Sequence, residues 1–299
     1  MARFRVLAYN LFFGGTDRID AIHAVLAHAN ADAIALTEAD DRRVVAALAD
    51  RLSMYHVWAE GSGDRHIATL SRFPIVEWRI HKTPPLTQAA LETRLELPHP
   101  PAPSPETKLP VSGDANAGWG GEAITIYNVH FLPYLLLPFE IRRWQAVGKL
   151  LNTIHARRPG AHLILGDLNA IGPGDRVLQH SNPPRMRRVM ALQLNLIFRL
   201  AIPRLIKAGY VDCFRRLHPK QDGFTWMPGN PTTRYDYILA DAALAPALRA
   251  CRVIDDTEAV KLASDHFPLL AEFELESRDE QQPLTQYAIR DMRTYHTSR

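Results

Sequence analysis

The 299-residue chain is predicted to fold as an α/β layered domain. Three observations predict it. Short apolar runs, such as residues 33–36 and 161–165, have the length of buried strands. Stretches with apolar residues at helical spacing lie between such runs, as in residues 18–29. Polar residues recur directly after the apolar runs, where sheets of this class build their sites.

Each element can be read in order. Residues 3–9 form an apolar-rich first strand that ends in Asn10 and runs into a loop at Gly14-Gly15. Residues 18–29 place Ile19, Ile22, Val25 and Leu26 on one helix face. Residues 33–36 are a short buried strand that delivers Thr37-Glu38, and residues 42–52 are helical. Residues 66–70 and 75–80 read as strands on either side of the turn-like Ser71-Arg72-Phe73-Pro74, and residues 91–97 as a half-exposed strand. Residues 98–121 are rich in Pro, Ser, Gly and Ala and read as a mobile surface loop. Residues 123–130 are a strand, 140–157 a helix with a basic outer face, and 161–165 a strand ending at Gly166-Asp167. Residues 186–207 read as an apolar helix kinked at Pro203, within an apolar helical insertion over 176–207. Residues 233–239 and 267–273 are late strands. A polar tail over 276–299 leaves a single catalytic domain over 1–275.

Hydrophobic residues at 46% and charged residues at 22% fit a globular protein with a substantial core and exclude a disordered chain. A net charge of +3 permits an anionic substrate without the basic stripe of a dedicated nucleic-acid binder. The two cysteines, Cys213 and Cys251, stand in no metal-binding or disulfide pattern. No secretory signal or transmembrane span is visible. A cytoplasmic monomer is therefore expected.

The polar residues at the strand ends share a chemistry. Glu38, Asp167 and Asp265 are carboxylates, and Asn10 and Asn169 are amides, so all offer oxygen to a hard divalent ion, Mg²⁺ first and Mn²⁺ as a substitute. His130 and His266 add groups that move protons near neutral pH. Such a set suits in-line attack of water on a phosphate, where positioning and charge neutralisation carry most of the catalysis. Taken singly, each residue has a plainer reading. Asp167 would cap a turn, His130 would be a core histidine, and Asp236 would be an ordinary strand residue.

Their joint order resembles the endonuclease/exonuclease/phosphatase superfamily of DNase I-like nucleases, abasic-site endonucleases, inositol polyphosphate 5-phosphatases and neutral sphingomyelinases. The resemblance runs from Arg3 to Phe273. It is carried by Tyr9-Asn10, Leu36-Thr37-Glu38, Leu70-Ser71-Arg72-Phe73-Pro74-Ile75, Asn128-Val129-His130, Gly166-Asp167-Leu168-Asn169, Arg234-Tyr235-Asp236-Tyr237-Ile238 and Ser264-Asp265-His266-Phe267-Pro268. It implies a four-layer α/β/β/α sandwich, two mixed sheets packed face to face with helices outside. It also implies roles. Glu38 would be the main metal ligand, with Asn10 and Asp265 near the same ion. Asp167 and Asn169 would orient the attacking water and contact phosphate, with Asp167 able to touch a second metal. His266 would act as base or phosphate contact, its ring fixed by Asp236. His130 would protonate the leaving oxygen, and Asn128 would contact phosphate. One departure stands out. DNase I-like members pair the His130 equivalent with a glutamate, and Asp64-Arg65-His66-Ile67 offers none here.

Two apolar segments adjoin these motifs, residues 132–139 and 186–206. They either cap the core or form a rim that contacts a membrane surface, with Arg185, Arg187 and Arg188 at anionic head groups. The rim would favour a phospholipid- or sphingomyelin-type phosphodiester. The competing substrate is nucleic acid, for which Arg65, Trp119, Trp226 and Arg234 are the candidate contacts. A non-catalytic binding module would have lost a metal ligand, and all are present. The arginine pairs Arg142-Arg143 and Arg215-Arg216 read as solvated helix faces.

Overall fold

The computed structural model describes residues 2–62, 65–86, 89–97, 123–181 and 184–275. The loop expected at 98–121 and the tail expected at 276–299 lie outside them.

Two six-stranded mixed sheets form the centre. The first has the order β11-β12-β1-β2-β4-β3, with β1 Ala2–Asn10, β2 Ala33–Thr37, β3 Tyr55–Ala59, β4 Ile67–Ser71, β11 Leu248–Val253 and β12 Leu269–Leu275. The second has the order β5-β6-β7-β8-β10-β9, with β5 Ile75–His81, β6 Ala89–Glu96, β7 Ala123–His130, β8 His162–Asp167, β9 Val211–Asp212 and β10 Asp236–Ala240. Side chains alternate across a strand, so each sheet presents two faces. Phe4, Val6, Ala8, Ala33 and Ala35 of the first sheet meet Ile124, Ile126, Leu163, Leu165 and Ile238 of the second in one buried cluster. The intervening residues Leu7, Tyr9, Ile34 and Leu36 point outward and are covered by α1 Ile19–Ala29 and α2 Arg42–Leu52. On the far side Tyr127, Val129, Ile164 and Leu239 are covered by α3 Leu137–Arg157 and α5 Ala201–Lys207. This is the four-layer sandwich that the resemblance implies. Burial on both faces explains why β2 reads as a continuous apolar run with no alternation.

Three expectations change. Residues 91–97 are not half-exposed: β6 is buried along most of its length, with Glu92 held by His81 and Arg157. The helix expected over 186–207 is two helices, α4 Pro184–Ala191 and α5, separated by turns. Leu194 and Asn195 take left-handed φ values of 56° and 58° between them, which no continuous helix tolerates. Pro203 lies in the first turn of α5, where its missing N–H has no intrahelical role, so it starts a helix instead of kinking one. Arg143 and Arg215 are not solvated. Arg143 is buried and binds Glu140 and the carbonyls of Leu132 and Tyr134. Arg215 pairs with Asp175 at 2.5 Å.

Candidate active site

Strand register assembles the site. His130, at the end of β7, pairs with Asp167 at the end of the parallel strand β8. Asp167 pairs on its other side with Asp236, the first residue of antiparallel β10. In the other sheet Asn10 pairs with Thr37 across parallel β1 and β2, so Glu38 follows beside it. β12 runs antiparallel to β1 with Leu269 opposite Ala8, which brings the preceding Ser264-Asp265-His266 to the same edge. Ser264 Oγ closes that junction by donating to the Asn10 carbonyl at 2.6 Å. Gly166 permits the close approach of β7 and β8. Its φ is 130°, and a Cβ there would collide with the Val129 carbonyl.

His266 and Asp236 form a buried pair, Nδ1 to Oδ2, at 2.7 Å. Burial works against a charged imidazole, but the charge and hydrogen bond of Asp236, with Asp167 and Asp265 nearby, raise His266 to about 10. Its Nε2 faces Asp167 Oδ2 at 3.8 Å. Asp167 accepts from Asn10 Nδ2 at 2.9 Å and from the Asn169 N–H at 2.9 Å. Burial raises its carboxyl to about 7. His266 and the Asn10 hydrogen bond oppose the rise, and the negative charges of Asp236 and Glu38 add to it. Asn169, in a left-handed turn at φ 46°, directs Nδ2 to the Phe131 carbonyl at 3.1 Å. His130 Nε2 lies 3.7 Å from Asp167 Oδ2. Burial lowers His130 to about 4, so its ring is neutral at pH 7.

Glu38 and Asp265 border this cluster and are more exposed. Glu38 Oε2 accepts from the Phe13 N–H at 3.0 Å and from Arg65 Nη1 at 2.6 Å. The Arg65 guanidinium also lies over the Phe13 ring, 4.3 Å from its centre. Arg65, from the stretch in which the sequence offers no glutamate, thus contacts a carboxylate expected to bind metal. Asp265 Oδ2 accepts from Trp226 Nε1 at 3.3 Å. Burial pushes the Asp265 carboxyl up; His266 opposes this and the Glu38 charge adds to it.

The donor chemistry fits a cation. Asp236 Oδ1 and Asp265 Oδ1 are buried with no hydrogen-bond partner among the described residues. Asp167, Asp236 and His266 bring ligand atoms within 4.8 Å of one another. Two members of that trio already bind each other, whereas Glu38, Asp167 and Asp265 supply carboxylate oxygen and Asn10 an amide whose Oδ1 accepts from the Phe12 N–H at 2.8 Å.

Asn128 is corrected by its surroundings. It is fully buried between the sheets, and its Nδ2 donates to the carbonyls of Leu36 at 3.0 Å and Ala68 at 2.8 Å. Both amide hydrogens are engaged, so it ties β7 to β2 and β4 and has none left for a phosphate. Arg234, expected near a nucleic acid, is fully buried between Asp175 and Asp212. Trp119 lies outside the described residues. The structure adds a support that sequence reasoning missed. Thr225 Oγ1 accepts from the N–H groups of Tyr235 and Asp236, while its carbonyl accepts from the Phe267 N–H. One residue thereby fixes the backbone at Asp236 and just after His266, and Thr225 carries no chemical signature that would have revealed it.

Fold and site define a hydrolase of phosphoester bonds. The family model described as "Endonuclease/Exonuclease/phosphatase family" matches residues 7–266, and the chain belongs to that family, whose members are metal-dependent. Its fold is similar to an AP endonuclease from Archaeoglobus fulgidus, with 17% identity and a TM-score of 0.63 over 91% of this chain and 100% of that one. It is also similar to the 3'-5' exonuclease NExo from Neisseria meningitidis, with 18% identity and a TM-score of 0.64 over 91% and 100%. A third structure, D. rerio TDP2 complexed with single strand DNA product, gives 16% identity and a TM-score of 0.59 over 92% and 100%.

Proposed function

We propose that this chain is a Mg²⁺-dependent phosphodiesterase, with Mn²⁺ as a substitute, that hydrolyses a P–O ester by in-line attack of water. The observation that carries the reading is Asp167 set between two histidines, 3.7 Å from His130 Nε2 and 3.8 Å from His266 Nε2. A carboxylate so placed orients a water and can take up its proton. Asn10 and Asn169 hold its two oxygens in place. His266, charged at neutral pH, donates from Nε2 to a phosphate oxygen while Asp236 fixes the ring. His130 is neutral and serves as a hydrogen-bonding group, which disfavours it as the resting proton donor. Asn10, Glu38, Asp167 and Asp265 would hold the cation, which when bound neutralises phosphate charge. Every residue comes from one chain, and we take the working unit to be a monomer with one catalytic domain over 1–275. Two buried free cysteines fit a reducing compartment, the cytoplasm.

We read the substrate as a diester bearing an apolar group, such as a phospholipid, because segments 132–139 and 186–206 pack beside the site. Leu135, Ile171, Met190 and Tyr235 form a cluster extended by Ile197 and Trp226. A nuclease is the second reading, favoured by exposed Phe12 and Phe13 with Arg18 and Arg65 lying over their rings near Glu38, an arrangement able to stack bases. NExo and TDP2 are described with DNA product, which agrees with it. Hydrolysis of bis-p-nitrophenyl phosphate with Mg²⁺ or Mn²⁺, abolished by EDTA and by Glu38→Ala, is the expected result. Metal-loaded protein inert on every phosphomonoester and diester would overturn the reading. Plasmid DNA, RNA, sphingomyelin vesicles and inositol phosphates tested side by side separate the substrates.

A further inference from the structure

The turn after α4 exposes leucines to an unusual degree. Leu192 is 84% exposed, Leu194 82% and Leu196 54%. Water-facing leucines on a globular surface mark a contact when they are grouped. These are grouped and held in place. Gln193, between them, turns inward: its Nε2 donates to the Leu135 and Leu196 carbonyls at 2.7 Å each, and its Oε1 accepts from the Leu137 N–H at 3.1 Å. Gln179 Nε2 holds the Asn195 carbonyl at 2.8 Å. The left-handed backbone at Leu194 and Asn195 carries a local cost that these bonds offset. The turn is thus a fixed tip, with its leucines directed out.

The tip is joined to the site. Met190 and Ile197, on either side of it, pack with Tyr235 and Trp226. Trp226 Nε1 contacts Asp265, and the Tyr235 ring lies 6.4 Å from that of His266.

The stretch of chain that carries the tip is basic, with Arg176 at its start paired to Asp222. Residues 176–211 contain seven Arg and Lys and no Asp or Glu. On α4, Arg185, Arg187 and Arg188 are exposed, and none is in an ion pair among the described residues. Aliphatic tips have no π-face on which bases stack, which argues against nucleic acid at this surface. A tip of leucines lacks the aromatic, groove-filling character of protein interfaces. Leucine beside arginine suits the boundary between lipid tails and anionic head groups.

We propose that residues 184–196 seat the enzyme on an anionic bilayer. The tip leucines enter the lipid boundary and the α4 arginines meet acidic head groups, so the mouth beside Asp265 and His266 faces the membrane surface. Segment 132–139 acts differently: it buries Leu135 and supplies the Leu135 carbonyl and the Leu137 N–H that hold Gln193 of the tip. The inference rests on the lipid-diester reading for its purpose, and its test does not.

The whole chain is sedimented with phosphatidylcholine vesicles and with phosphatidylcholine–phosphatidylserine vesicles. Binding is expected to the mixed vesicles only and to weaken with salt. Leu192→Ser/Leu194→Ser is expected to lower partitioning at least about tenfold, and Arg185→Gln, Arg187→Gln and Arg188→Gln about fivefold each. Hydrolysis of soluble bis-p-nitrophenyl phosphate should stay unchanged in all of them. The proposal is overturned if mixed vesicles are not bound, or if binding survives the double leucine variant. It is equally overturned if that variant converts a dimer to a monomer, which would assign the tip to a second copy, or if the arginine variants lose DNA binding while no vesicle binding occurs. Vesicle binding without turnover of any lipid diester would leave the seat standing and remove the lipid substrate. Turnover of a detergent-dispersed lipid diester without vesicle binding would do the reverse.

Discussion

Two buried polar clusters lie side by side in this molecule, and their chain positions almost interleave. One holds Asp175, Asp212, Arg215, Arg234 and Tyr237. The other holds Asp167, Asp236, Asp265 and His266. In the first, each carboxylate has a guanidinium: Arg234 reaches Asp175 at 2.8 Å and Asp212 at 2.6 Å, and Arg215 reaches Asp175. Against the burial that would raise it, Arg234, Arg215 and Tyr237 hold Asp175 below the usual carboxylate range. In the second, carboxylates face one another with no guanidinium between them, burial raises Asp167 to about 7, and two buried oxygens lack partners. Asp175 and Asp167, each 2% exposed, therefore meet opposite outcomes. Matched charge makes a structural brace, and unmatched charge makes a site that stores proton affinity and calls for a cation.

The contrast is open to test. The largest effect is expected from Asp236→Asn, which keeps the shape and removes the charge that orients His266. Turnover of bis-p-nitrophenyl phosphate should fall about 10³-fold, an effect on activity larger than that on stability. Arg234→Met should do the opposite, costing about 3–5 kcal/mol of stability by stranding two buried carboxylates. Urea unfolding measures it, and a loss under about 1 kcal/mol would remove the brace. Mn²⁺ at about a hundredfold excess over its Kd should add about 2.7 kcal/mol in the same assay, and Glu38→Ala or Asp265→Ala should abolish the gain. Arg65→Ala should tighten Mn²⁺ binding several-fold by calorimetry, because the guanidinium on Glu38 competes with the cation. Weaker binding in that variant would count against Glu38 as a ligand. The smallest effect is in pH. His266 is raised when folded, so its pairing contributes fully below about 6.5, its ordinary value, and is lost as pH rises through about 10. Histidine NMR should place its titration near 10, falling toward the ordinary value in Asp236→Asn.

Much of the candidate site's assembly was legible because its residues sit at fixed points of strong local patterns. Asp167 and His130 follow apolar strands, and parallel pairing of β7 with β8 must bring such ends together. Less visible were the elements whose character depends on neighbours. β3 is an edge strand with exposed residues, and β9 has two residues, so neither shows a period. Residues 186–207 kept their apolar character but not one helix, because side-chain bonds from Gln193 and Gln179 stabilise the turn between α4 and α5. Asn128 was expected to contact phosphate because the resemblance carried by Asn128-Val129-His130 implied it. Strand alternation would place both on one face, yet only the opposing sheet shows that Leu36 and Ala68 occupy its amide.

The sequence by itself determined the layered α/β class, the set of oxygen donors and histidines, and the order in which strands deliver them, since these follow from local hydrophobic period and residue chemistry. Tertiary structure alone decided which polar residues come together and which are neutralised by a partner. Whether a carboxylate braces or reacts depends on what stands within about 4 Å of it, and those neighbours come from strands up to a hundred residues and more away, as Asn10 is from Asp167.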